Sequence, residues 1–295
     1  MIDTLFLPLA LAFIMFSLGL SLRVDDFRTA LGNWRGVAFG MLGQVVLVPL
    51  IAAMIGLGLG LSETMLLGLM IIAACPGGVS SAFLTHLARG NTALSLVLTV
   101  SSSLLALLSL PFIINTVLDW QSGGVPADAL LQPGDMPLGK LLGGLLLVTT
   151  LPILCGMLLR LRFKLIGERG EQVVSKFATG FFVAIVIVTF ASHSETILTG
   201  LPQVGTATVL LNVLTMLGGA LLAWAARLQR RETIAIAMEC GLQNAGLGIF
   251  VALSLFELPE LAVPSVVYAL TMNLGAIAFL FIVRSRRAAG WVAVP

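Results

Sequence analysis

Long apolar segments alternate with short polar connections along almost the whole chain. A helix needs about 20 apolar residues to cross a hydrocarbon core of about 30 Å. Nine segments approach or exceed that length: 3–22, 35–59, 63–89, 92–118, 138–160, 173–197, 204–227, 232–256 and 261–283. Because backbone polar groups cannot be left open in lipid, each segment is expected to be helical. The pattern predicts an all-α polytopic membrane protein with about nine transmembrane helices.

Composition agrees with a lipid environment. Of the 295 residues, 58% are hydrophobic and only 10% are charged, whereas about a quarter of an average soluble domain is charged. So few charged side chains could not cover a soluble fold of this size. The composition excludes a soluble enzyme, a nucleic-acid-binding protein and a disordered chain. Membrane lipid is therefore an expected partner, and no obligate protein partner is inferred.

The basic residues are strongly segregated between the connections. With nine spans, 15 of the 16 lysines and arginines fall on one side of the membrane, and only Lys140 falls on the other. By the positive-inside rule the basic side is cytoplasmic. The N-terminus is then outside and the C-terminus is inside. Since the first cation, Arg23, follows the first apolar segment, we expect that segment to be a retained span rather than a signal peptide.

Two spans carry helix-breaking residues. The third contains Pro76, Gly77 and Gly78, and the eighth contains Gly241 and Gly246. Proline removes a helix donor, and such interrupted pairs point to a transporter's binding site near the membrane midplane. One further span follows each interruption, which predicts inverted repeats, the first lacking its leading helix. The predicted organisation is one transporter domain over 1–295, with a four-span repeat at 1–118, a loop at 119–137, a five-span repeat at 138–287 and a tail at 288–295.

One carboxylate, Glu239, lies deep within a predicted span. An intramembrane carboxylate is a functional-site hypothesis by default, although a structural, protonated or paired group is the alternative. The same and neighbouring spans carry amides and hydroxyls: Gln44, Gln243, Asn244, Asn273, Ser80, Ser81, Ser95, Thr99, Ser101, Ser102 and Ser103. Oxygen ligands of this kind suit Na⁺. Because His86 and His193 lie at opposite membrane ends and the cysteines are scattered, Na⁺ is the only metal predicted, and no organic cofactor is expected.

The interrupted spans also resemble a known family. The run Cys75-Pro76-Gly77-Gly78-Val79-Ser80-Ser81, the run Leu87-Ala88-Arg89-Gly90-Asn91 and the run Glu239-Cys240-Gly241-Leu242-Gln243-Asn244 are similar to the bile acid:sodium symporter family, as is 16–27. The resemblance implies two discontinuous helices that cross near the bilayer centre. It also implies a core of the second to fourth and seventh to ninth spans, with a panel of the first, fifth and sixth.

The resemblance further implies particular site residues. The first sodium site would contain Ser81, Ser95, Thr99 and Glu239; the second would contain Gln44, Glu239 and Gln243 with the carbonyls of Cys240 and Leu242; Asn244, Asn273, Val79 and Ser80 would contact the substrate. For Asn273, an interhelical hydrogen bond is an alternative role. The family pattern has asparagine where this chain has Ala82. The first site therefore has one ligand fewer, unless water or Ser80 replaces it.

The resulting prediction is a secondary active transporter that carries an organic anion with Na⁺ into the cytoplasm by alternating access. We expect a bacterial inner membrane. A carrier of the same fold that couples to protons, or is uncoupled, is the main alternative, because a buried carboxyl can take a proton instead. An intramembrane hydrolase would need a nucleophile and a base within reach, or two acids at one depth. It is disfavoured because Glu239 has no intramembrane carboxylate partner and both histidines lie near the membrane surface. A non-transporting sensor is disfavoured by the absence of a signalling domain in the sequence.

Overall fold

The predicted all-α architecture is confirmed by a computed structural model, which describes residues 5–22, 25, 28, 32–121, 138–162 and 168–288. In those ranges there is no β-strand, and one isolated antiparallel bridge joins Gly77 to Gln243. The helices are α1 (Leu7–Ser21), α2 (Trp34–Gly58), α3 (Glu63–Ala74), α4 (Ser80–Leu87), α5 (Thr92–Gln121), α6 (Gly139–Arg162), α7 (Glu168–Ser192), α8 (Ser194–Ala225), α9 (Arg230–Gly241), α10 (Ala245–Leu255) and α11 (Pro259–Ala288).

Six of the described helices are long and apolar enough to cross a membrane: α2, α5, α6, α7, α8 and α11. Helices α1, α3 and α10 are apolar but shorter. Large apolar side chains also cover the outer surface, where Phe112 is 72% and Trp224 is 74% exposed. Such a surface suits lipid rather than water. The chain is therefore an integral membrane protein.

Some predicted boundaries are wrong. The sixth span was expected to end at 197 and the seventh to begin at 204, but α7 ends at Ser192 and α8 begins at Ser194. His193 breaks the helix there, with φ −117° and ψ 23°. Apolar residues continue past this polar break, so hydrophobicity alone placed the boundary too late. The predicted loop at 119–137 begins inside α5, and its remainder, 122–137, lies outside the described residues, as does the tail beyond 288.

Helix α1 packs closely against α6 and α7. A Cβ atom added at Gly156 of α6 would lie 2.8 Å from the backbone nitrogen of Leu20 and 3.0 Å from the carbonyl carbon of Gly19. At this position only glycine allows the two helix backbones to approach so closely. Phe13 and Phe177 meet edge to face, with ring centroids 6.0 Å apart, on the contact with α7. These three helices form one packed group.

The remaining helices pack around the two interruptions. Helix α8 lies against α9 and α11, and α11 also contacts α3. Helix α3 ends at Ala74 because Pro76 lacks a donor and two glycines follow it. Helix α9 begins with a capping box of Gln229 and Glu232 and ends at Gly241. The predicted breaks are thus present, and they leave two short non-helical segments inside the fold.

Candidate functional site

The two non-helical segments, 75–79 and 242–244, pair with each other in the interior. The backbone nitrogen of Gly78 donates to the carbonyl of Leu242 at 2.6 Å, and that of Asn244 donates to the carbonyl of Pro76 at 2.8 Å. A Cβ atom at Gly78 would lie 2.9 Å from the carbonyl oxygen of Gln243, so glycine is needed for this close approach. The pairing satisfies backbone groups that the broken helices leave open. We call this region the crossing.

Glu239 lies at the crossing, in the last turn of α9, and is completely buried. Three hydroxyls donate to its carboxylate: Ser81 Oγ at 2.7 Å, Thr99 Oγ1 at 2.8 Å and Ser95 Oγ at 3.1 Å. Within the described ranges, no lysine or arginine pairs with this carboxylate. A buried charge held only by neutral donors is costly without a counter-ion. The pocket therefore provides a place for a cation or for a proton.

The hydroxyls also lie close to one another. Ser81 Oγ is 3.2 Å from Ser95 Oγ and 3.3 Å from Thr99 Oγ1. They come from α4 and α5, whereas Glu239 comes from α9. Gly77 closes one side, since a Cβ atom there would overlap a carboxylate oxygen of Glu239. Four of the predicted residues thus form one compact cluster of oxygen atoms.

The predicted amides form a second group beside the crossing. Gln44 Nε2 donates to Gln243 Oε1 at 2.6 Å and to the carbonyl of Cys75 at 2.9 Å. Gln243 Nε2 donates to the carbonyl of Cys240 at 2.9 Å. Gln44 lies in a π-helical stretch, Gly43–Leu47, of α2, a distortion frequent at functional sites. The carboxylate of Glu239 hydrogen-bonds only to the hydroxyl cluster among the described residues.

Sequence reasoning missed two residues that hold the crossing. Asn212 Nδ2 of α8 donates to the carbonyl of Gly241 at 2.7 Å, and the Tyr268 hydroxyl of α11 donates to the same oxygen at 2.9 Å. Both side chains are buried. Asn212 carried the same signal as Gln44, an amide inside an apolar run. The two donors satisfy a carbonyl that α9 exposes where it stops.

We predict that these two donors substitute for each other. In Asn212→Ala or Tyr268→Phe, the carbonyl of Gly241 keeps one partner, so each variant should lose about 0.5–1.5 kcal/mol of unfolding free energy. In the double variant the carbonyl of Gly241 loses both side-chain donors. The loss of unfolding free energy should then exceed the sum of the two single-variant losses by on the order of 1 kcal/mol. Thermal or denaturant unfolding of the four proteins measures this, and strictly additive losses would contradict it.

The residues predicted to contact the substrate do not form one cluster, unlike those of the first sodium site. Asn244 caps α10, where its Oδ1 accepts from the backbone nitrogen of Leu247 at 3.1 Å, and its amide lies 3.8 Å from Met15 Sδ of α1. Val79 and Ser80 are half-buried where α4 begins. Asn273 donates to the carbonyl of Ala269 in its own helix at 2.8 Å. Asn244 thus lies between the crossing and α1.

Comparisons with known proteins agree on one kind of activity. The model of the sodium bile acid symporter family matches residues 8–200. An uncharacterised sodium-dependent transporter of Bacillus subtilis is 30% identical over 91% of this chain and 80% of its own length. A probable chloroplastic sodium/metabolite cotransporter of rice is 29% identical over 97% of this chain, which spans only 65% of that relative. Human sodium/bile acid cotransporter 4 is 29% identical over 55% of this chain and 36% of its own length.

Proposed function

The chain belongs to the sodium bile acid symporter family, and we propose that it couples Na⁺ entry to the uptake of an organic anion. The family expected from the two interrupted spans is confirmed. The relatives that this chain resembles are sodium-dependent transporters, not enzymes. The observation that carries the proposal is the buried carboxylate of Glu239, which three hydroxyls surround and no described cationic side chain neutralises.

We assign a first sodium site to Glu239, Ser81, Ser95 and Thr99. Na⁺ is a hard cation that takes oxygen ligands, and these side chains already bring four or more oxygens together. Each hydroxyl can donate to the carboxylate and still offer a lone pair to an ion. The ion would neutralise Glu239 and link α4, α5 and α9. Because Ala82 offers no side-chain oxygen where the family has asparagine, this site is the weaker one.

A second sodium site is assigned to Gln44, Gln243 and the carbonyls of Cys240 and Leu242, with Glu239 as its nearby charge. In the described conformation these carbonyls already accept hydrogen bonds, from Gln243 Nε2 and from the backbone nitrogen of Gly78. A carbonyl has two lone pairs, so one remains for an ion. Ion binding here would tighten the same crossing from its other side.

The substrate is proposed to be an organic anion with a carboxylate or sulfonate group. Helices α4 and α10 begin at the crossing, and helix N-termini carry a partial positive charge that favours anions. Asn244, Asn273, Val79 and Ser80 are the proposed contacts. Because Met15 lies against Asn244, and Phe182 of α7 lies against Gly246, α1 and α7 must move to admit a substrate.

This packing supports alternating access between two bodies. We propose that α1, α6 and α7 form the panel and that the other helices form the core. We count each of the broken pairs α3–α4 and α9–α10 as one span. On this basis we propose that the described helices form nine spans in two inverted repeats. The charge distribution supports an outer N-terminus and a cytoplasmic C-terminus, in a bacterial inner membrane. Each net positive charge moved inward across −100 mV would gain about 2.3 kcal/mol.

A carrier of the same fold that couples to protons, or is uncoupled, is the second candidate. The observation that favours it is Ala82, which supplies no side-chain oxygen to the first site, together with a completely buried carboxyl that no described cationic side chain neutralises and that a proton would also neutralise. Its distinguishing property is uptake that depends on pH and not on Na⁺.

Sodium binding to the purified protein tests the proposal. We expect Na⁺, but not K⁺ or choline at equal ionic strength, to raise the melting temperature; a ligand at 100 times its Kd stabilises by about 2.7 kcal/mol. Calorimetry then gives the number of ions, one if Ala82 has removed a site and two if not. Folded protein that responds to pH and equally to all three cations would overturn sodium coupling and favour the second candidate.

A further inference from the structure

A basic cavity lies at the cytoplasmic ends of α4, α9 and α11, on the side of the membrane assigned from the charge distribution. It has a volume of about 380 Å³ and is lined by Ala88, Arg89, Arg230, Arg231, Ile234, Val283 and Arg284. A second cavity of about 570 Å³ shares Arg89, Arg231 and Arg284 and adds His86. These volumes are in the range of small-ligand sites. Neither cavity includes residues of the sodium sites.

The cavity walls are held together by hydrogen bonds between the three helices. Arg284 donates to the carbonyl of Leu87 at 2.9 Å, and Arg230 donates to the carbonyl of Val283 at 3.0 Å. The backbone nitrogen of Asn91 donates to the carbonyl of Arg231 at 2.8 Å. Two arginines therefore connect the walls, and their positions do not depend on a bound ligand.

The positive charge of this cavity is not neutralised by the described residues. None of its four arginines forms an ion pair in that part of the chain. The neighbouring Glu232 is directed elsewhere, since it accepts from the Asn33 amide and from the backbone nitrogen of Gln229. The side chains of Arg89 and Arg231 also donate no hydrogen bond to a described residue. A guanidinium matches an oxyanion such as phosphate with two parallel hydrogen bonds, so the cavity suits a phosphate group.

An apolar stripe leads from the cavity into the membrane. Leu274, Ile277 and Phe281 precede Arg284 at spacings of three, four and three residues, which places them on one face of α11. They are 69%, 42% and 66% exposed. At 1.5 Å per residue the stripe extends about 15 Å from Arg284, which is half of a hydrocarbon core. A soluble phosphate compound would leave this stripe unused, whereas acyl chains would cover it.

We propose that this cavity binds the phosphate group of an anionic phospholipid, with its acyl chains along the stripe. Basic pockets between transmembrane helices on the cytoplasmic side suit such headgroups. Arg89 and Arg231, whose side chains bond to no described residue, contact the phosphate, while Arg230 and Arg284 hold the walls and add charge. The lipid would connect α4, which carries Ser81, to α9, which carries Glu239. It would thus stabilise the ends of both broken helices at one point.

Lipid binding to the full chain in a neutral detergent tests this proposal. Fluorescent phosphatidylglycerol is the probe, and unlabelled phosphatidylglycerol, phosphatidylcholine and inorganic phosphate are the competitors. We expect phosphatidylglycerol to compete at least about tenfold better than phosphatidylcholine, and added KCl to weaken the binding. Competition by millimolar phosphate equal to that of the lipid would overturn the lipid as the source of the phosphate. Equal competition by both lipids would overturn a charge-specific site.

Matched variants locate the site. Arg89→Gln combined with Arg231→Gln should weaken phosphatidylglycerol binding about tenfold or more, because both guanidinium groups that contact the phosphate are lost. Arg227→Gln is the control: Arg227 is exposed, lies outside the cavity and has φ 54°, close to the φ 58° of Arg89. Unchanged melting in delipidated detergent shows that each variant is folded. A loss in the control equal to that in the double variant would overturn the proposal in favour of a diffuse basic surface.

Discussion

Replacing Glu239 with glutamine should strongly weaken the sodium-specific stabilisation while leaving the protein folded. The amide oxygen can take the place of Oε2 and accept from Ser81 and Ser95. The amide nitrogen then takes the place of Oε1 and donates to Thr99 Oγ1, whose own proton can bond to the carbonyl of Ser95. The variant also removes a buried charge that no described cation balances, and burying such a charge is unfavourable. We therefore expect its melting temperature without Na⁺ to equal or exceed that of the unmodified protein. The apparent Kd for Na⁺ should rise at least about tenfold, which corresponds to about 1.4 kcal/mol.

Melting curves over a series of Na⁺ concentrations measure both effects in one experiment. Glu195→Gln is the matched control, because Glu195 is an exposed carboxylate in the first turn of α8, away from the crossing. It should keep the full response to Na⁺. If Glu239→Gln keeps that response as well, the sodium sites do not depend on this carboxylate and the assignment of both fails.

The sequence predicted the interruptions well because local chemistry decides them. Pro76 and the glycines after it cannot continue a helix, whatever surrounds them, and α3 indeed ends at Ala74. The same local reasoning placed one carboxylate in the interior. Glu239 is completely buried, as its position inside an apolar run suggested.

Sequence patterns could not predict contacts between segments that are distant along the chain. Glu239 hydrogen-bonds to Ser81, which is 158 residues away in the sequence, and to Thr99, which is 140 residues away. The family resemblance, and not any spacing along the chain, predicted that these residues lie together. The two donors to the carbonyl of Gly241 come from α8 and α11, and no pattern along the chain connects them. The resemblance also predicted that Glu239 is a ligand of both sodium sites. In the described residues, however, its carboxylate hydrogen-bonds only to the hydroxyls of Ser81, Ser95 and Thr99.

Hydrophobicity alone also failed at the junction of α7 and α8. The apolar residues after His193 belong to the next helix, although they extend the same hydrophobic run. A span is recognised by its average hydropathy, while a helix end is set by the backbone conformation of one or two residues. The packing of α1 on α6 could not be predicted from hydropathy either. It depends on the lack of a side chain at Gly19 and Gly156, which lets the two backbones touch, and hydropathy does not report such a contact.

Gly77→Ala should damage the crossing more than any other single methyl group added there. A Cβ atom at this position would overlap Oε1 of Glu239 and lie 2.5 Å from its carboxyl carbon. The carboxylate must then leave the hydroxyls of Ser81, Ser95 and Thr99, or the paired segments must separate. Overpacking of this kind costs about 1–3 kcal/mol of unfolding free energy. The variant should also lose the sodium response, since the displaced carboxylate no longer lies in the cluster.

Two further variants separate this clash from a general effect of alanine. Gly205→Ala in α8 adds a methyl group where nothing lies within 4 Å, so it should be neutral or stabilise by up to about 1 kcal/mol. Gly77→Ala combined with Glu239→Asp should recover part of the lost stability, because the carboxylate retracts by one methylene and makes room for the new methyl group. The unfolding free energies of the single and double variants measure this coupling. If Glu239→Asp and Gly77→Ala lower stability additively, the damage arises from the backbone of the crossing rather than from the carboxylate beside it.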